Sequence, residues 1–244
     1  MNQICYLNIV PEEIKKYIIL LTENKVFDLC LVSKYFNNNC KIIKIVDNFK
    51  YPKLTNINLK ELTNLTSLNL RSNKIITCEG IKELVNLNYL DLSDNKKVTD
   101  EGIKELIKIN CLYLSHNNKI IDKGIKGLTN LTSLNLRFGD TITDEGIKGL
   151  ANLTSLNLSW DEKITAIGIK GLTNLISLNL SFNNKVTDEG IKGLTNLTSL
   201  DLRQNNMITY EGIKGLNNLN FLSLYGNKVI TNEGIKGLTN LTLI

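Results

Sequence analysis

Eight glycines of this chain are separated by a strict spacing of 22 residues, and this period limits how the chain can fold more than any other feature. They are Gly80, Gly102, Gly124, Gly146, Gly168, Gly190, Gly212 and Gly234. A fixed period of about 20–50 residues is typical of stacked repeat folds, in which each repeat buries its apolar face against its neighbours. The sequence therefore predicts a solenoid with a row of small, shared cores.

Apolar residues form aligned columns between these glycines. One column consists of Leu65, Leu87, Ile109, Leu131, Leu153, Leu175, Leu197 and Leu219. Two further columns follow three and five residues later, as in Leu68 and Leu70. Because side chains alternate between the two faces of a strand, this pattern predicts a strand with one buried face. The segment that follows, exemplified by Thr187 to Leu194, predicts one helical turn with acidic residues near its positive end.

An asparagine recurs where each predicted strand ends. The column consists of Asn73, Asn95, Asn117, Asn183, Asn205 and Asn227, and it is interrupted at Gly139 and Asp161. Buried polar groups must be paired, and an amide both donates and accepts hydrogen bonds. The column therefore predicts a ladder of asparagine side chains bonded to backbone groups of adjacent coils.

The repeat pattern L-x-x-L-x-L-x-x-N resembles the leucine-rich repeat and covers about residues 43–244. The segment from Ile142 to Ile147 resembles the cysteine-containing repeats of F-box proteins, and the segment from Leu128 to Leu136 resembles the 22-residue repeats of bacterial internalins. The resemblance implies an α/β solenoid of horseshoe shape. Its parallel sheet would line the concave face, and its short helices would cover the convex face.

The column immediately before the asparagines departs most from the repeat. It reads Ser72, Asp94, His116, Phe138, Trp160, Phe182, Gln204 and Gly226. At the strand spacing of about 4.8 Å, the ring-bearing side chains of four consecutive coils would extend over roughly 14 Å along one rim of the sheet. Clustered aromatic residues are typical of binding hot spots, but they can equally stack into a structural ladder that shields the rim. The sequence leaves both interpretations open.

Strand residues between the core leucines are expected to point to the concave face, where most are small and polar. Larger or charged residues stand out near the two ends of the array. Together with the four ring-bearing rim residues they form the predicted partner-binding set, which consists of Tyr89, Asp91, Tyr113, His116, Phe138, Trp160, Phe182 and Arg203.

Residues 1–42 do not follow the repeat period. The helices predicted in and after this segment span Glu12 to Leu21, Val26 to Phe36 and Cys40 to Phe49. Counting back one period from Leu65 and Leu68 aligns them with Ile43 and Val46, so residues 43–64 are predicted to form a degenerate N-terminal cap repeat. The 22-residue repeats are then predicted over residues 65–244, with the last one truncated.

The segment from Val10 to Ile14 and the segment from Leu29 to Phe36 resemble the F-box. This resemblance implies docking on the Skp-type linker protein of a cullin–RING ubiquitin ligase. The residues that match the contact positions of the motif are Val10, Pro11, Ile14, Leu29, Val32 and Phe36. The chain departs from the F-box pattern at Val10, where leucine is usual, and at Lys25, where aspartate is usual. The alternative is that these residues form only the core of a helical cap.

Other features of the sequence restrict the class of function. The five cysteines have no recurring spacing, so neither a disulfide framework nor a zinc site is predicted. His116 is the only histidine, and no nucleophile elbow, carboxylate pair or phosphate loop accompanies it, so we expect neither an enzyme nor a cofactor or metal site. The net charge of +5 comes largely from one lysine per repeat, so nucleic acid is not an expected partner.

No signal peptide or membrane-spanning stretch is recognisable, which predicts a cytoplasmic or nuclear protein that is not secreted and binds no membrane. The Asn-Leu-Thr sequons, such as those at Asn130 and Asn152, are therefore interpreted as repeat architecture. The chain stops at Ile244 within a further predicted strand, and an uncapped edge of this kind predicts possible self-association.

Two functions follow from the sequence. The first is a substrate-recognition adaptor of a Skp–cullin–F-box ubiquitin ligase, with the repeats holding an unknown protein substrate. The second is a leucine-rich-repeat scaffold or regulatory binding protein without any link to ubiquitin. An internalin-like surface adhesin is a third, which the missing secretion and anchoring signals disfavour.

Overall fold

The computed structural model describes residues 19–20, 43–45, 55–60, 62–231 and 235–241. Within them, short strands and short helices alternate along the chain. The strands are β1 (Ile19–Leu20), β2 (Ile43–Ile45), β3 (Ser67–Asn69), β4 (Tyr89–Asp91), β5 (Cys111–Tyr113), β6 (Ser133–Asn135), β7 (Ser155–Asn157), β8 (Ser177–Asn179), β9 (Ser199–Asp201) and β10 (Phe221–Ser223). The helices are α1 (Asn56–Lys60), α2 (Cys78–Ile81), α3 (Asp100–Ile103), α4 (Asp122–Ile125), α5 (Asp144–Ile147), α6 (Ala166–Ile169), α7 (Asp188–Ile191) and α8 (Tyr210–Ile213).

The strands form one unclosed parallel sheet in which spatial order equals sequence order. From β3 to β10 the paired residues lie 22 positions apart, as Ser133 and Ser155 do. Each helix therefore returns the chain to the start of the next strand, and one turn of the solenoid is one repeat. The predicted leucine-rich-repeat architecture, with a parallel sheet and short helices, is confirmed.

The N-terminal end of the sheet differs from the sequence-based expectations. Ile19–Leu20 and Ile43–Ile45 are strands that pair in parallel, whereas helices were predicted at both places. β2 also pairs with β3 at an offset of 23 residues, with Ile45 opposite Leu68, so the predicted alignment of Val46 with Leu68 is wrong by one position. The predicted linker-contact residues all lie outside the described residues; they are Val10, Pro11, Ile14, Leu29, Val32 and Phe36.

The core of the solenoid consists of stacked leucine and isoleucine columns. Every member of the column from Leu65 to Leu219 has 0% of its surface exposed. Removing such a side chain from water stabilises the fold by about 1.5–3 kcal/mol before the entropy of ordering is subtracted. Because each column continues through successive coils, each repeat completes the core of its neighbours.

The predicted asparagine ladder is confirmed in four coils. Nδ2 of Asn117 donates to the carbonyl oxygens of Leu92 at 3.0 Å and Asn95 at 3.2 Å, which lie in the preceding coil. Its Oδ1 accepts from the backbone N–H groups of Lys119 and Ile120 in its own turn. The same arrangement recurs at Asn95, Asn183 and Asn205. The amide thus satisfies buried backbone groups on both sides of each junction between coils.

The convex side carries exposed ion pairs three residues apart. They join Glu79 to Lys82, Glu101 to Lys104, Glu145 to Lys148, Glu189 to Lys192 and Glu211 to Lys214. Exposed pairs of this kind contribute roughly 0–1 kcal/mol each, so they mainly keep the outer face polar. These lysines therefore lie on a solvated face beside acidic neighbours.

Candidate protein-binding site

The variable column of the repeat forms one rim of the sheet, and its residues have an unusual backbone conformation. His116, Phe138, Trp160 and Phe182, here called the rim ladder, have φ angles of 53–60°, in the left-handed region. Ser72, Asp94 and Gln204 share this conformation in the flanking coils, so the turn itself requires it. Each rim residue lies three positions after the end of its strand, and its N–H still donates to the next coil, as from Phe138 to the carbonyl of Ser159 at 3.0 Å.

The four rings stack on one another in sequence order. The ring centroids are 4.2 Å apart between His116 and Phe138, 5.5 Å between Phe138 and Trp160, and 4.1 Å between Trp160 and Phe182. The planes differ by 10–20°, so the rings are close to parallel. Trp160 is 42% exposed and Phe182 is 36% exposed. The rim is therefore both a ladder and an exposed aromatic surface, and the two interpretations of the sequence are compatible.

The side chain of Arg137 lies against the rim ladder, a contact that the sequence analysis did not identify. The guanidinium carbon of Arg137 lies 4.8 Å from the ring centroid of Phe138. A guanidinium above an aromatic face is attracted by the quadrupole of the ring, by about 0.5–1 kcal/mol at an exposed site. The signal available in the sequence was the adjacency of Arg137 to a rim residue. That adjacency alone does not show on which face the guanidinium lies.

Strands β4 and β5 place a tyrosine pair on the concave face. The rings of Tyr89 and Tyr113 are 5.5 Å apart and inclined by 43°. Partial burial, followed by the nearby charge of Asp91, raises the pKa of Tyr89 to about 12, so its hydroxyl remains a hydrogen-bond donor at neutral pH. Asp91 itself is only 7% exposed, and its Oδ1 accepts from the N–H of Ser93 at 2.8 Å. Asp91 is therefore largely buried near the two tyrosines and bonded to the backbone of its own turn.

Arg203 provides an oriented charge near the other end of the concave face. Its Nε lies 3.0 Å from both carboxylate oxygens of Asp201, and its Nη2 lies 2.6 Å from Oδ2. This forked contact raises the pKa of Arg203 and holds its guanidinium in one orientation, with half of the side chain exposed. Arg203 is thus presented to solvent already positioned, with little entropy left to lose on binding.

The predicted binding residues therefore fall into three groups. The rim ladder is contiguous over four coils, the tyrosine pair lies on β4 and β5, and Arg203 follows β9. Between the tyrosines and Arg203, the strands present Ser and Asn side chains, so the centre of the concave face is lined by short polar side chains. The structure brings the four ring-bearing residues into direct contact with one another.

A shallow groove of about 610 Å³ lies at the opposite ends of the strands. Its lining residues are Asn130, Thr132, Asn152, Thr154, Asn174, Ile176, Asn196 and Thr198. The asparagines donate to carbonyl groups of the preceding coil, as Asn130 does to Ile107 at 2.9 Å. Because the amides of Asn130, Asn152 and Asn196 are engaged in the fold, the interpretation of these three Asn-Leu-Thr segments as architecture is confirmed.

The described residues contain no group of three or more His, Cys, Asp and Glu side chains that could hold a metal ion. None of their helices has the length and apolar character needed to cross a lipid bilayer.

Comparisons with known proteins agree with this geometry. The protein-family model described as "Leucine Rich repeats (2 copies)" matches residues 173–218, and the one described as "Leucine Rich repeat" matches residues 55–85, 83–107 and 127–151. No curated protein matches the chain by sequence.

Solved structures with a similar fold include two internalins of Listeria monocytogenes. Internalin C2 (inlC2) is 33% identical with a TM-score of 0.62, and the match covers 78% of this chain and 83% of that one. The internalin inlF is 24% identical with a TM-score of 0.67, covering 87% and 68%. The structure of the Rad7 and Elc1 complex in yeast contains a chain that is 20% identical, with a TM-score of 0.68, covering 92% and 65%.

Proposed function

Because the chain belongs to the leucine-rich-repeat family, we propose that it is a protein-interaction module that holds a protein partner on the rim ladder and the adjoining concave face. The observation that carries this proposal is the stack of four rings along an exposed rim. Aromatic residues bury a large area with few rotatable bonds, which is why they dominate binding hot spots. Within this family the repeats typically act as binding scaffolds, so the proposal includes no catalysis.

The backbone of the rim supports a role in binding. For a residue other than glycine, the left-handed region costs roughly 1–2 kcal/mol, and for bulky side chains it is a genuine outlier. The turn could be made more cheaply by glycine, which occupies the same column at Gly226 with φ 72°. Aromatic residues in four consecutive coils are therefore not what the turn geometry favours, and strained positions of this kind cluster at functional sites.

The stacking also restricts the chemistry of the partner. The faces of Phe138 and Trp160 are occupied by neighbouring rings and, at Phe138, also by the guanidinium of Arg137, so the ring edges are the surface that remains. Nucleic-acid bases bind aromatic residues face to face, so a ladder with occupied faces is poorly suited to them. Ring edges suit the apolar side chains of a protein, and Arg203 and the tyrosine pair offer polar contacts beside them.

A finer proposal concerns the N-terminal segment. We infer from its resemblance to the F-box that residues 1–42 bind a Skp-type linker, which would make the chain a substrate-recognition adaptor acting in the cytoplasm or nucleus. A chain with a similar fold occurs in the crystal structure of the yeast Rad7 and Elc1 complex. The alternative, a scaffold without a ubiquitin link, is favoured by β1, because Ile19–Leu20 pairs with β2 as part of the repeat sheet.

The two parts of the proposal can be tested separately with purified full-length chain. A Skp-type linker is immobilised, and the wild type is compared with the double variant Pro11→Ala/Ile14→Ala and with Trp160→Ala/Phe182→Ala. Under the adaptor proposal, we expect Pro11→Ala/Ile14→Ala to lose at least tenfold in linker affinity and Trp160→Ala/Phe182→Ala to retain the affinity of the wild type. If the wild type itself does not bind the linker, the chain is a scaffold without that link.

The rim is tested by proximity labelling in cells of the source organism, followed by direct binding of the recovered proteins to purified chain. A true partner binds Pro11→Ala/Ile14→Ala with the affinity of the wild type, and its affinity for Trp160→Ala/Phe182→Ala is at least tenfold lower. Gln204→Ala, in the same column but outside the rim ladder, is the matched control and should bind normally. Partners whose affinity is unchanged by Trp160→Ala/Phe182→Ala would refute the rim as the binding site.

A further inference from the structure

Asp161 is a buried carboxylate within the asparagine ladder. It has 0% exposure, and its Oδ1 accepts from the N–H groups of Lys163 and Ile164 at 2.9 Å each, as the Oδ1 of the asparagines does. Its Oδ2 has no hydrogen-bond partner, and it is the only buried side-chain oxygen or nitrogen of the described residues for which this is so. A buried, unpaired carboxylate oxygen is costly, so it calls for a physical explanation.

The surroundings of Oδ2 are acceptors. In the other coils this position is the Nδ2 of asparagine, which donates to carbonyl oxygens 25 and 22 residues earlier. For Asp161 those carbonyls belong to Leu136 and Gly139. A Cβ atom built on Gly139 would lie 2.6 Å from Oδ2 of Asp161 and 2.7 Å from the oxygen of Leu136, so both oxygens converge on one point.

This convergence links the two interruptions of the asparagine column. Asp161 Oδ2 occupies the space that a side chain at position 139 would need, and position 139 is a glycine. Both oxygens are acceptors and lie within 2.7 Å of one point, so a hydrogen bond between them requires that one of them carries a proton. Oδ2 of Asp161 can therefore form a hydrogen bond when the carboxyl group is protonated, and it lacks one when the group is ionised.

The nearby charges favour the same protonation state. The carboxylates of Asp144 and Asp140, both in the preceding coil, act on Asp161 by repulsion. From the following coil the facing group is the neutral amide of Asn183, whose Nδ2 is already bonded to the carbonyls of Leu158 and Asp161. Burial of the carboxyl group is the largest cause that raises its pKa, and the two backbone hydrogen bonds to Oδ1 lower the pKa in part. The pKa of Asp161 is raised to about 6 as a result.

We propose that Asp161 is a proton-binding site, in which Oδ2–H donates to the carbonyl of Leu136 and the loss of this proton to solvent loosens the junction behind the centre of the rim ladder. The rim residues Phe138 and Trp160 directly precede Gly139 and Asp161 in the chain. Their ring centroids are 5.5 Å apart, whereas the other two steps of the rim ladder measure 4.2 and 4.1 Å. The widest step of the rim ladder therefore coincides with the junction that contains the carboxylate.

The sign of the effect follows from linkage. Because the pKa of Asp161 is raised in the folded chain, the folded state holds its proton more tightly than the unfolded state, whose aspartate pKa is about 3.9. The stabilising contribution is complete below that value, and it is lost as the pH rises through about 6. This direction is opposite to that of the exposed Glu–Lys pairs, such as the one that lowers the pKa of Glu101 to about 2.

Trp160 is the only tryptophan of the chain, so its fluorescence reports directly on the rim ladder. We expect a reversible change in emission of the folded full-length chain with a midpoint near pH 6, which Asp161→Asn abolishes. Asp140→Asn removes a carboxylate without entering the asparagine ladder, so it should keep the transition at a slightly lower midpoint. His116 stacks on Phe138 in the rim ladder, and His116→Gln should keep the transition as well.

A second measurement does not depend on fluorescence. The difference in melting temperature between Asp161→Asn and the wild type should grow by roughly 5 °C between pH 4.5 and pH 7.5. If Asp161→Asn does not fold, the side-chain carboxyl ¹³C shift of Asp161 in the labelled wild type gives the titration directly. A midpoint below pH 4.5, or a transition that persists in Asp161→Asn, would overturn the proposal. Stabilisation of the wild type by Ca²⁺ at pH 7.5 that Asp161→Asn lacks would instead identify a cation site and also overturn it.

Discussion

The carboxylate of Asp122 lies in the space that a side chain at Gly146 would occupy. A Cβ atom on Gly146 would stand 2.5 Å from Oδ1 of Asp122 and 3.0 Å from a methyl group of Ile142. The same carboxylate accepts two hydrogen bonds from Thr143, from the backbone N–H at 2.7 Å and from Oγ1 at 2.6 Å. The glycine of one coil therefore makes room for an aspartate of the preceding coil, which binds the threonine at the start of the next helix.

Gly146→Ala should consequently destabilise the chain. Overpacking of a buried site typically costs about 1–3 kcal/mol, and here the clash is with a carboxylate that is held by two hydrogen bonds. The matched control is Gly149→Ala, because a Cβ atom there meets nothing within 4 Å. We expect the control to change the free energy of unfolding by less than about 0.5 kcal/mol or to raise it slightly. Urea denaturation of both variants measures the difference.

A double-mutant cycle identifies the cause of the loss. If the clash with Asp122 is responsible, Asp122→Ala should make Gly146→Ala much less harmful than it is in the wild type, with a coupling of about 1 kcal/mol or more. Strict additivity of the two substitutions would contradict this account.

The hydroxyl of Thr143 gives a second prediction for the same contact. Thr143→Val keeps the shape of the side chain but removes the bond to Asp122 and the cap to the N–H of Glu145. A loss of about 1–2 kcal/mol is expected, the usual magnitude for a helix cap combined with a buried hydrogen bond. Thr187→Val is the control, because Ala166 replaces the aspartate in that coil and the side chain of Thr187 makes no cap bond. Equal losses in thermal unfolding of the two variants would argue against the Asp–Thr contact.

Much of this architecture could be predicted from the sequence, because it depends on periodic side chains. The leucine columns and the asparagine at Asn117 repeat with a period that fixes both strand register and hydrogen-bond partners. The role of Gly146 could not be predicted, because it depends on a side chain 24 positions away in another coil. The proximity of Oδ2 of Asp161 to Gly139 could not be predicted for the same reason, although the sequence shows both positions as interruptions of one column.

The rim shows a different limit of sequence analysis. The order of the rings and their approximate span followed from the register, but the left-handed backbone at Trp160 did not. Propensity argues against a bulky residue with positive φ, so the sequence gives no local signal for it. The register of β2 was misjudged for a related reason, since a one-residue insertion before β3 leaves the apolar pattern of a degenerate repeat nearly unchanged.

A carboxylate introduced elsewhere in the asparagine ladder should reproduce the behaviour that we infer for Asp161. Asn117→Asp replaces the donor that faces the carbonyls of Leu92 and Asn95 by an acceptor. At pH 7.5 we expect a loss of about 2–4 kcal/mol in the free energy of unfolding, because a buried charge then faces two carbonyl oxygens. Part of this loss should be recovered at pH 5, where a protonated carboxyl group can donate again.

The control for this substitution is Asn130→Asp, at an exposed amide that makes one bond to the carbonyl of Ile107. Its cost should stay below about 1 kcal/mol and should vary little between pH 5 and 7.5. Urea titrations of both variants at the two pH values provide the comparison. A loss in Asn117→Asp that does not depend on pH would mean that the asparagine acts by shape rather than by donating hydrogen bonds.

The rim ladder allows backbone strain to be separated from stacking at a single position. Replacing Trp160 removes two stacking contacts, each of about 0.5–1.5 kcal/mol, whereas glycine at the same position also relieves a left-handed conformation that costs about 1–2 kcal/mol. Trp160→Gly should therefore lie within about 1 kcal/mol of the wild type in urea denaturation, and Trp160→Ala should be less stable than Trp160→Gly by about 1 kcal/mol. The pair Gln204→Gly and Gln204→Ala, at φ 53° and outside the rim ladder, should show the same preference for glycine. A loss above about 3 kcal/mol in Trp160→Gly would mean that the rings chiefly hold the coils together, and the rim would then need no partner to explain its aromatic residues.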